Sequence, residues 1–306
     1  MAEFCDLHMH SSASDGTDLP GDLPRLCRDA GLGAFALTDH DTTAGLAACG
    51  AAAGRLKIDF VPGIELSVDP DLDRAREGRS SGVPGQGTMH LLGYFVDPEH
   101  PPLVEIVERL RVARAERNPR IVEKLSEQGI RIDYGEVVAV AQGGGRNAGA
   151  ERGVAEVEPV IGRPHIAQVL LQKGYVKSIH EAFVKYLGVG GGAHVRRDRL
   201  AAAEAIEVIH TAGGVVSLAH PVQLRAADNA ALEHTVSRLK LLGLDGIETG
   251  HSDHTPADVR RFTGLAQAMG LVATGGSDYH GSRKPIGLNS ERVPIEVMYR
   301  LRDARG

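Results

Sequence analysis

The chain has 306 residues, 42% of them hydrophobic, enough to fill the core of one large α/β domain or two smaller ones. A formal charge of −6 and a pI near 6.2 exclude bulk attraction to polyanions, so any phosphate or nucleic-acid contact has to come from a local basic cluster. Cys5, Cys27 and Cys49 are few, odd in number and never spaced Cys-x-x-Cys, which argues against a disulfide framework and a thiolate zinc knuckle and fits a reducing cytoplasm.

In chain order, short apolar stretches alternate with amphipathic ones, the signature of β/α units. Polar "DLHMHSSASDG" follows the N-terminus without a basic and apolar leader, and no run approaches the roughly 18 apolar residues of a membrane span. The expectation is a soluble, unexported, cytoplasmic protein with no membrane contact and no obligate protein partner. The strand candidates are "EFCDLHMH", "AFALTDH", "DFVPGIELSV", "GTMHLLGYFV", "GVVSLAHP", "DGIETGH" and "LVATGGSDYH". Helix-like "LAAAEAIEVIHTAG", "ALEHTVSRLKLLG" and "PADVRRFTGLAQAMG" lie between the later ones, each closing on a glycine. Seven strands with crossover helices predict a closed or nearly closed β/α barrel, with a doubly wound open sheet as the competing layout.

The rhythm breaks between residues 101 and 194, where helix-like "PLVEIVERLRVARAERNPRIVEKLSEQGI", "PHIAQVLLQKG" and "SIHEAFVKYLG" contain no strand pattern. The chain therefore divides into a first barrel part (1–100), an inserted helical subdomain (101–194) and a second barrel part (195–306). Residues 71–87 and 141–158 have the composition of surface loops.

Chemistry collects at the strand ends. His8 and His10, His40, Glu65, His220, and Asp278 with His280 lie toward the C-terminal ends of predicted strands, while His90 lies within the fourth. In β/α barrels that rim is where active sites form. Residues i and i+2 of a strand project to one face, so His8 with His10, and Asp278 with His280, each aim two donors at one point. Imidazole and carboxylate without thiolate suit manganese, iron or zinc. With Asp15 the donors number nine, more than one ion uses, and two or three clustered divalent ions bridged by Glu65 account for them. Taken singly, Asp15-Gly16 reads as a turn and "AHP" as a strand stop, and His100, His180, His210 and His234 read as surface histidines. The combination carries the inference.

"DLHMHSSASDG", "LTDHD", "GIE", "HLLGY", "LAHP" and "GGSDYHG", in this order, resemble the PHP (polymerase and histidinol phosphatase) superfamily of metallophosphoesterases. "IGRPHIA" and "GLDGIE" with "HSDHT" are similar to its branch of 3′,5′-nucleoside bisphosphate phosphatases and 5′→3′ exoribonucleases. The resemblance implies a distorted seven-stranded barrel and a trinuclear centre. By position, His8, His10, Glu65 and Asp278 would hold one ion, Glu65, His90 and His220 a second, and Asp15, His40 and His280 a third. Some relatives carry His in place of Asp15, which implies a weaker or different third ion here. Glu248 and His254 fall near the rim without an assigned slot.

The implied reaction is in-line attack on phosphorus by metal-activated hydroxide, with manganese the foremost metal and no protein nucleophile. Arg163 and His165 match the branch's phosphate-contacting motif, and a guanidinium fork suits a second phosphate. Arg111, Arg114, Arg117 and Arg120 recur every third residue and are expected to line a helix face toward the same cleft, Arg117 among the substrate contacts, although Pro119 interrupts the row. His165 and His254 are the candidates for protonating the leaving group. The expected substrate is a nucleoside bisphosphate or the 5′ end of a short oligonucleotide. Histidinol-phosphate phosphatase and a non-catalytic metal-binding module are the alternatives.

Overall fold

The computed structural model describes residues 2–72, 87–143, 159–197 and 199–305. All seven expected strands form: β1 (Phe4–Asp6), β2 (Leu32–Leu37), β3 (Asp59–Val68), β4 (Met89–Tyr94), β5 (Val215–Leu218), β6 (Gly246–His251) and β7 (Val272–Gly276). A two-residue β8 (Val293–Pro294), too short to read from the sequence, adds antiparallel to β1. The order is β7-β6-β5-β4-β3-β2-β1-β8. The residues after β1 and β7 then meet: Leu7 N–H donates to the Gly275 carbonyl at 3.2 Å, and Asp278 N–H to the His8 carbonyl at 2.8 Å. That seam nearly closes a barrel. Gly276 permits it, since a Cβ there would lie 2.3 Å from the His8 nitrogen.

One strand departs from uniform β/α alternation. β4 pairs antiparallel with both β3 and β5, and its register sets His90 against Ser67 near the end of β3. A reversed strand needs no crossover helix. Residues 73–86 of the expected 71–87 loop and 144–158 of the expected 141–158 loop lie outside the described residues.

The helices are α1 (Leu23–Asp29), α2 (Leu46–Leu56), α3 (Pro101–Glu127), α4 (Tyr134–Gly143), α5 (Arg163–Gln172), α6 (Ile179–Ala182), α7 (Ala202–Thr211), α8 (Asn229–Leu241), α9 (Pro256–Met269) and α10 (Glu296–Asp303). Strand periodicity sorts the barrel into two layers. Phe35, Leu37, Ile64, Leu66, Leu91 and Val216 pack outward with Ile206, Ile209, Val236 and Phe262 of the helices. Ala34, Ala36, Val61, Leu92, Tyr94 and Val215 form the inner layer, closed off by Val297, Met298 and Leu301 of α10. Glu65 has the strand parity of Val61, and His90 that of Leu92 and Tyr94, so both donors rise from the inner layer toward the rim.

α3 belongs to two cores. Leu103, Ile106 and Leu110 pack with the barrel, whereas Ile121 and Leu125 pack with Val137, Ile166, Leu170 and Leu187 in a separate cluster. Pro119 does not interrupt the helix as expected; α3 runs through it. The arginine row does not form one face either. Arg114 and Arg117 are buried, while Arg111 and Arg120 are exposed and Arg111 pairs with Glu108. Three-residue steps fall short of the 3.6-residue turn, so such a row rotates around the helix. Among the described residues no helix is long and apolar enough to cross a membrane.

Candidate metal centre and adjoining arginine cleft

Glu65 is the hub. Its Oε1 accepts from His90 Nδ1 at 2.7 Å and His220 Nε2 at 2.9 Å. Around Oε2 stand His40 Nδ1 at 2.8 Å, His10 Nε2 at 3.3 Å and His8 Nε2 at 3.5 Å. Asp278 Oδ1 faces His10 Nε2 at 3.2 Å and His8 Nε2 at 3.5 Å, and Asp15 Oδ1 faces His280 Nε2 at 3.2 Å. All nine expected donors thus meet at one end of the barrel. His90 reaches it from the start of its strand because β4 is reversed.

Apart from the two bonds to Glu65 Oε1, many of these atoms converge without bonding one another. His8 Nε2, both ring nitrogens of His10, His40 Nδ1 and Glu65 Oε2 are buried and make no hydrogen bond, however close they stand. Buried polar atoms are normally satisfied, so atoms orphaned around a shared point fit a common partner, and nitrogen and carboxylate donors fit a divalent ion. Among the described residues five sets have mutual ligand-atom distances within 4.8 Å, four of them built from the expected donors alone: His10, Asp15, His40 and His280; His8, His10 and Asp278; His8, Glu65 and His220; and His40, Glu65 and His90. The electrostatics agree. Burial opposes charging of His10, yet Asp278 and Glu65 outweigh it and lift its pKa to about 10. Burial outweighs Glu65 at His90 and lowers it to about 4, leaving a neutral ring. Backbone strain gathers at the same rim, where His220 and Asp278 have φ of 24° and 55°.

Several supporting residues escaped the sequence reading. Glu248 accepts from His8 Nδ1 at 2.9 Å and from the His220 backbone N–H at 2.7 Å, which gives it a role that the sequence left open. With Nδ1–H tied there, His8 presents the Nε2 lone pair to the cluster. His251 satisfies a ligand-distance set with His8 and Glu248, and its Nε2 is buried without a hydrogen bond like those of the expected donors, but its Nδ1 sets the position of its hydrogen. Its Nδ1 accepts the Asp253 N–H at 2.9 Å, so its hydrogen sits on Nε2, 3.4 Å from Asp278 Oδ2. Lys284 Nζ also holds Oδ2, at 2.7 Å, leaving Oδ1 to face His8 and His10. Asp39 accepts from Ser11 N–H at 2.8 Å and Ser14 Oγ at 2.5 Å, fixing the turn that delivers Asp15.

Beside the cluster a cleft runs from His90 and Ser67 to Arg117, Arg163, Arg197 and Arg199. Arg163 donates from Nη1 to the Leu187 carbonyl at 3.0 Å, and Arg117 donates to Asn118 Oδ1. His165 is fully buried at the start of α5, its Nδ1 accepting the Gly162 N–H at 3.0 Å. Burial, then Arg283, lowers its pKa to about 3, so a neutral ring carries hydrogen on a buried, unpartnered Nε2. His254 is the mirror case: Nδ1 bonds the Thr249 carbonyl at 2.9 Å and Nε2 is the buried, unpartnered atom.

Comparison with known proteins gives a consistent result. The chain is 32% identical over 293 residues to a 3′,5′-nucleoside bisphosphate phosphatase of Chromobacterium violaceum, covering 95% of this chain and 93% of the relative. It is 30% identical over 280 residues to a 5′-3′ exoribonuclease of Haemophilus influenzae, covering 92% and 91%. A solved metal-dependent phosphoesterase from Bifidobacterium adolescentis superposes with a TM-score of 0.79 at 28% identity, over 98% of this chain and 96% of that one. Residues 6–243 match the PHP-domain family model; the chain belongs to the PHP-domain family and is a metal-dependent phosphohydrolase.

Proposed function

We propose that the rim removes phosphate from 3′,5′-nucleoside bisphosphates, trims the 5′ ends of short oligonucleotides, or does both, using two or three divalent transition ions. Manganese is the foremost candidate, and iron or zinc suits the donors too. The observation that carries the reading is the convergence of nine buried or half-buried donors with orphaned ring nitrogens beside an arginine-lined cleft. His8, His10, Asp15, His40, Glu65, His90, His220, Asp278 and His280 would hold the ions, with Glu65 shared. Bound ions of this kind lower the pKa of water toward neutrality and draw charge from the phosphoryl oxygens.

The remaining chemistry belongs to the chain. Glu248 fixes the His8 tautomer, and His251 with Lys284 turns one oxygen of Asp278 toward the cluster. Arg163 and Arg117, from the helical segment at 101–194, grip a phosphate remote from the scissile one and so orient the reacting group. His165 supplies an N–H donor to a phosphoryl oxygen. His254 Nε2 is the atom that would take up the proton lost by the attacking water and deliver it to the departing oxygen, which has none of its own in the phosphate ester. Histidinol phosphate carries one phosphate and a cationic amine, a poor match for a cleft of guanidiniums.

Substrate profiling tests the reading. The manganese-loaded protein is assayed on a 3′,5′-bisphosphate, a 5′-phosphorylated oligonucleotide and histidinol phosphate. The first two should be preferred, and Arg163→Ala should cost the bisphosphate about a hundredfold in kcat/KM and a small aryl phosphate much less. Preference for histidinol phosphate, or an equal Arg163→Ala loss on both substrates, would overturn the reading.

A further inference from the structure

Arg197 lies where the chain returns from the helical segment to the barrel, and its side chain is only 8% exposed. One arm of its fork is occupied, Nη2 donating to Asp41 Oδ2 at 3.1 Å. The other arm, Nη1, is buried and has no partner among the described residues, and Arg197 lines the cleft that includes His90. A buried guanidinium N–H facing no acceptor is costly, and such groups are generally met by a ligand or an ordered water.

The surrounding charge favours an anion. Arg114, Arg117, Arg163, Arg197 and Arg199 gather here with two carboxylates beside them, Asp41 shared by Arg114 and Arg197, and Asp69 near Arg199. Burial first, then Arg114, lowers the Arg197 pKa to about 9. Burial first, then Arg163 and the neighbouring arginines, lowers His194 to about 4.

Asp41 fixes this arm. It is fully buried, adopts a φ of 53°, accepts the Ser67 N–H at 2.8 Å, and donates its own N–H to the Glu65 carbonyl at 2.9 Å. The arginine is thereby registered to the residue at the hub of the metal cluster.

We infer that Arg197, held by Asp41, determines specificity by presenting Nη1–H to the uncleaved phosphate of a doubly phosphorylated nucleotide. The inference rests on the phosphohydrolase reading and adds, beside Arg163 and Arg117, a further residue that separates bisphosphates from monophosphates. Lysine is a poor substitute, because one ammonium cannot reproduce the planar fork that serves Asp41 and a phosphate in two directions.

The test compares wild type, Arg197→Gln and Arg197→Lys on adenosine 3′,5′-bisphosphate and p-nitrophenyl phosphate with manganese-loaded protein. Arg197→Gln should raise KM for the bisphosphate about thirtyfold with little change in kcat, and the loss on p-nitrophenyl phosphate should be at least about ten times smaller; Arg197→Lys should fall between. Calorimetric titration of the metal-stripped protein with the same bisphosphate should show a matching loss of affinity. Equal losses on both substrates, unchanged KM for the bisphosphate, or unaltered calorimetric binding would each overturn the inference. If the wild type does not hydrolyse the bisphosphate, the substrate reading fails on its own and calorimetry still judges Arg197. If Arg197→Gln does not fold, by circular dichroism, Arg197→Lys decides by the same measurements.

Discussion

Glu248→Gln isolates the contribution of a residue that touches none of the expected substrate. Glu248 is fully buried and accepts two hydrogen bonds, one on each oxygen, from His8 Nδ1–H and His220 N–H. Glutamine preserves the volume but replaces one acceptor by an NH2 donor. If the amide oxygen stays on the His220 N–H, the NH2 meets His8 Nδ1. His8 then relieves the clash by moving its hydrogen to Nε2, the nitrogen that faces Glu65 and Asp278, and ceases to be a lone-pair donor there.

Removing a carboxylate that orients a ligand histidine typically costs 10- to 100-fold in metal affinity, about 1.4–2.8 kcal/mol. In the metal-free protein the loss has a second source. Although burial opposes it, the His8 charge and the neighbouring His251 hold Glu248 down to about 2, from an ordinary value of 4.5. That shift corresponds to on the order of 3 kcal/mol of interaction, which the amide forfeits. The assay is manganese affinity by competition with a chelator, alongside the melting temperature of the metal-free protein and long-range proton–nitrogen correlation spectra that report the His8 tautomer. Weaker manganese binding, a lower melting temperature and a His8 that carries hydrogen on Nε2 alone, with Nδ1 bare, are expected together. Wild-type affinity with full activity would refute the argument that Glu248 sets the tautomer.

His10→Ala and Asp278→Ala should abolish hydrolysis and lower the metal content measured by atomic emission while circular dichroism stays native, since donors at strand ends serve the rim more than the core; unchanged metal stoichiometry with full activity would contradict the cluster. Chelation should eliminate activity and manganese should restore it better than magnesium, because imidazole-rich sites favour transition ions, and equal rescue by magnesium would count against the donor assignment. Ion loading at pH 7.5 should release protons, since metal-free His10, lifted to about 10, holds one that an ion must displace. Heats measured in buffers of different ionisation enthalpy read that release, and buffer-independent heats would exclude it. The sign for stability follows from the same shift: the His10 interaction with Asp278 and Glu65 is fully present below about 6.5 and is lost as pH rises through about 10, so the metal-free protein should lose stability across that window.

Much of this was legible in the sequence because strand periodicity and ligand spacing are the same signal. His8 with His10, and Asp278 with His280, are separated by the two-residue repeat that defines a strand face, so reading the strands also located the donors. The seven strands were legible for a related reason: β-branched and apolar runs ending in His, Asp or Gly are bounded by their own chemistry. What periodicity cannot express is direction. Nothing in "GTMHLLGYFV" says that β4 runs opposite to its neighbours, and the sequence therefore places His90 within a strand without showing that its start lies at the shared rim.

The residues the sequence missed share a different property, since each acts through a proton position or a second arm rather than through its identity. His251 is one histidine among fourteen, and only the Asp253 N–H on its Nδ1 places the hydrogen of its neutral ring on the other nitrogen. Asp41 reads as the tail of "LTDHD", and only the return of the chain at Arg197, 156 residues later, makes it the anchor of the cleft. The arginine row is the converse case, where a regular spacing suggested one face and the helical repeat sent Arg111 and Arg120 to solvent. The positions of the candidate donors are thus local and readable, whereas the hydrogen bonds that decide which lone pair each turns inward depend on contacts that exist only after the barrel closes. For that reason Glu248, which binds no expected substrate and ends no strand, is a sharper test of this site than the loss of any single donor.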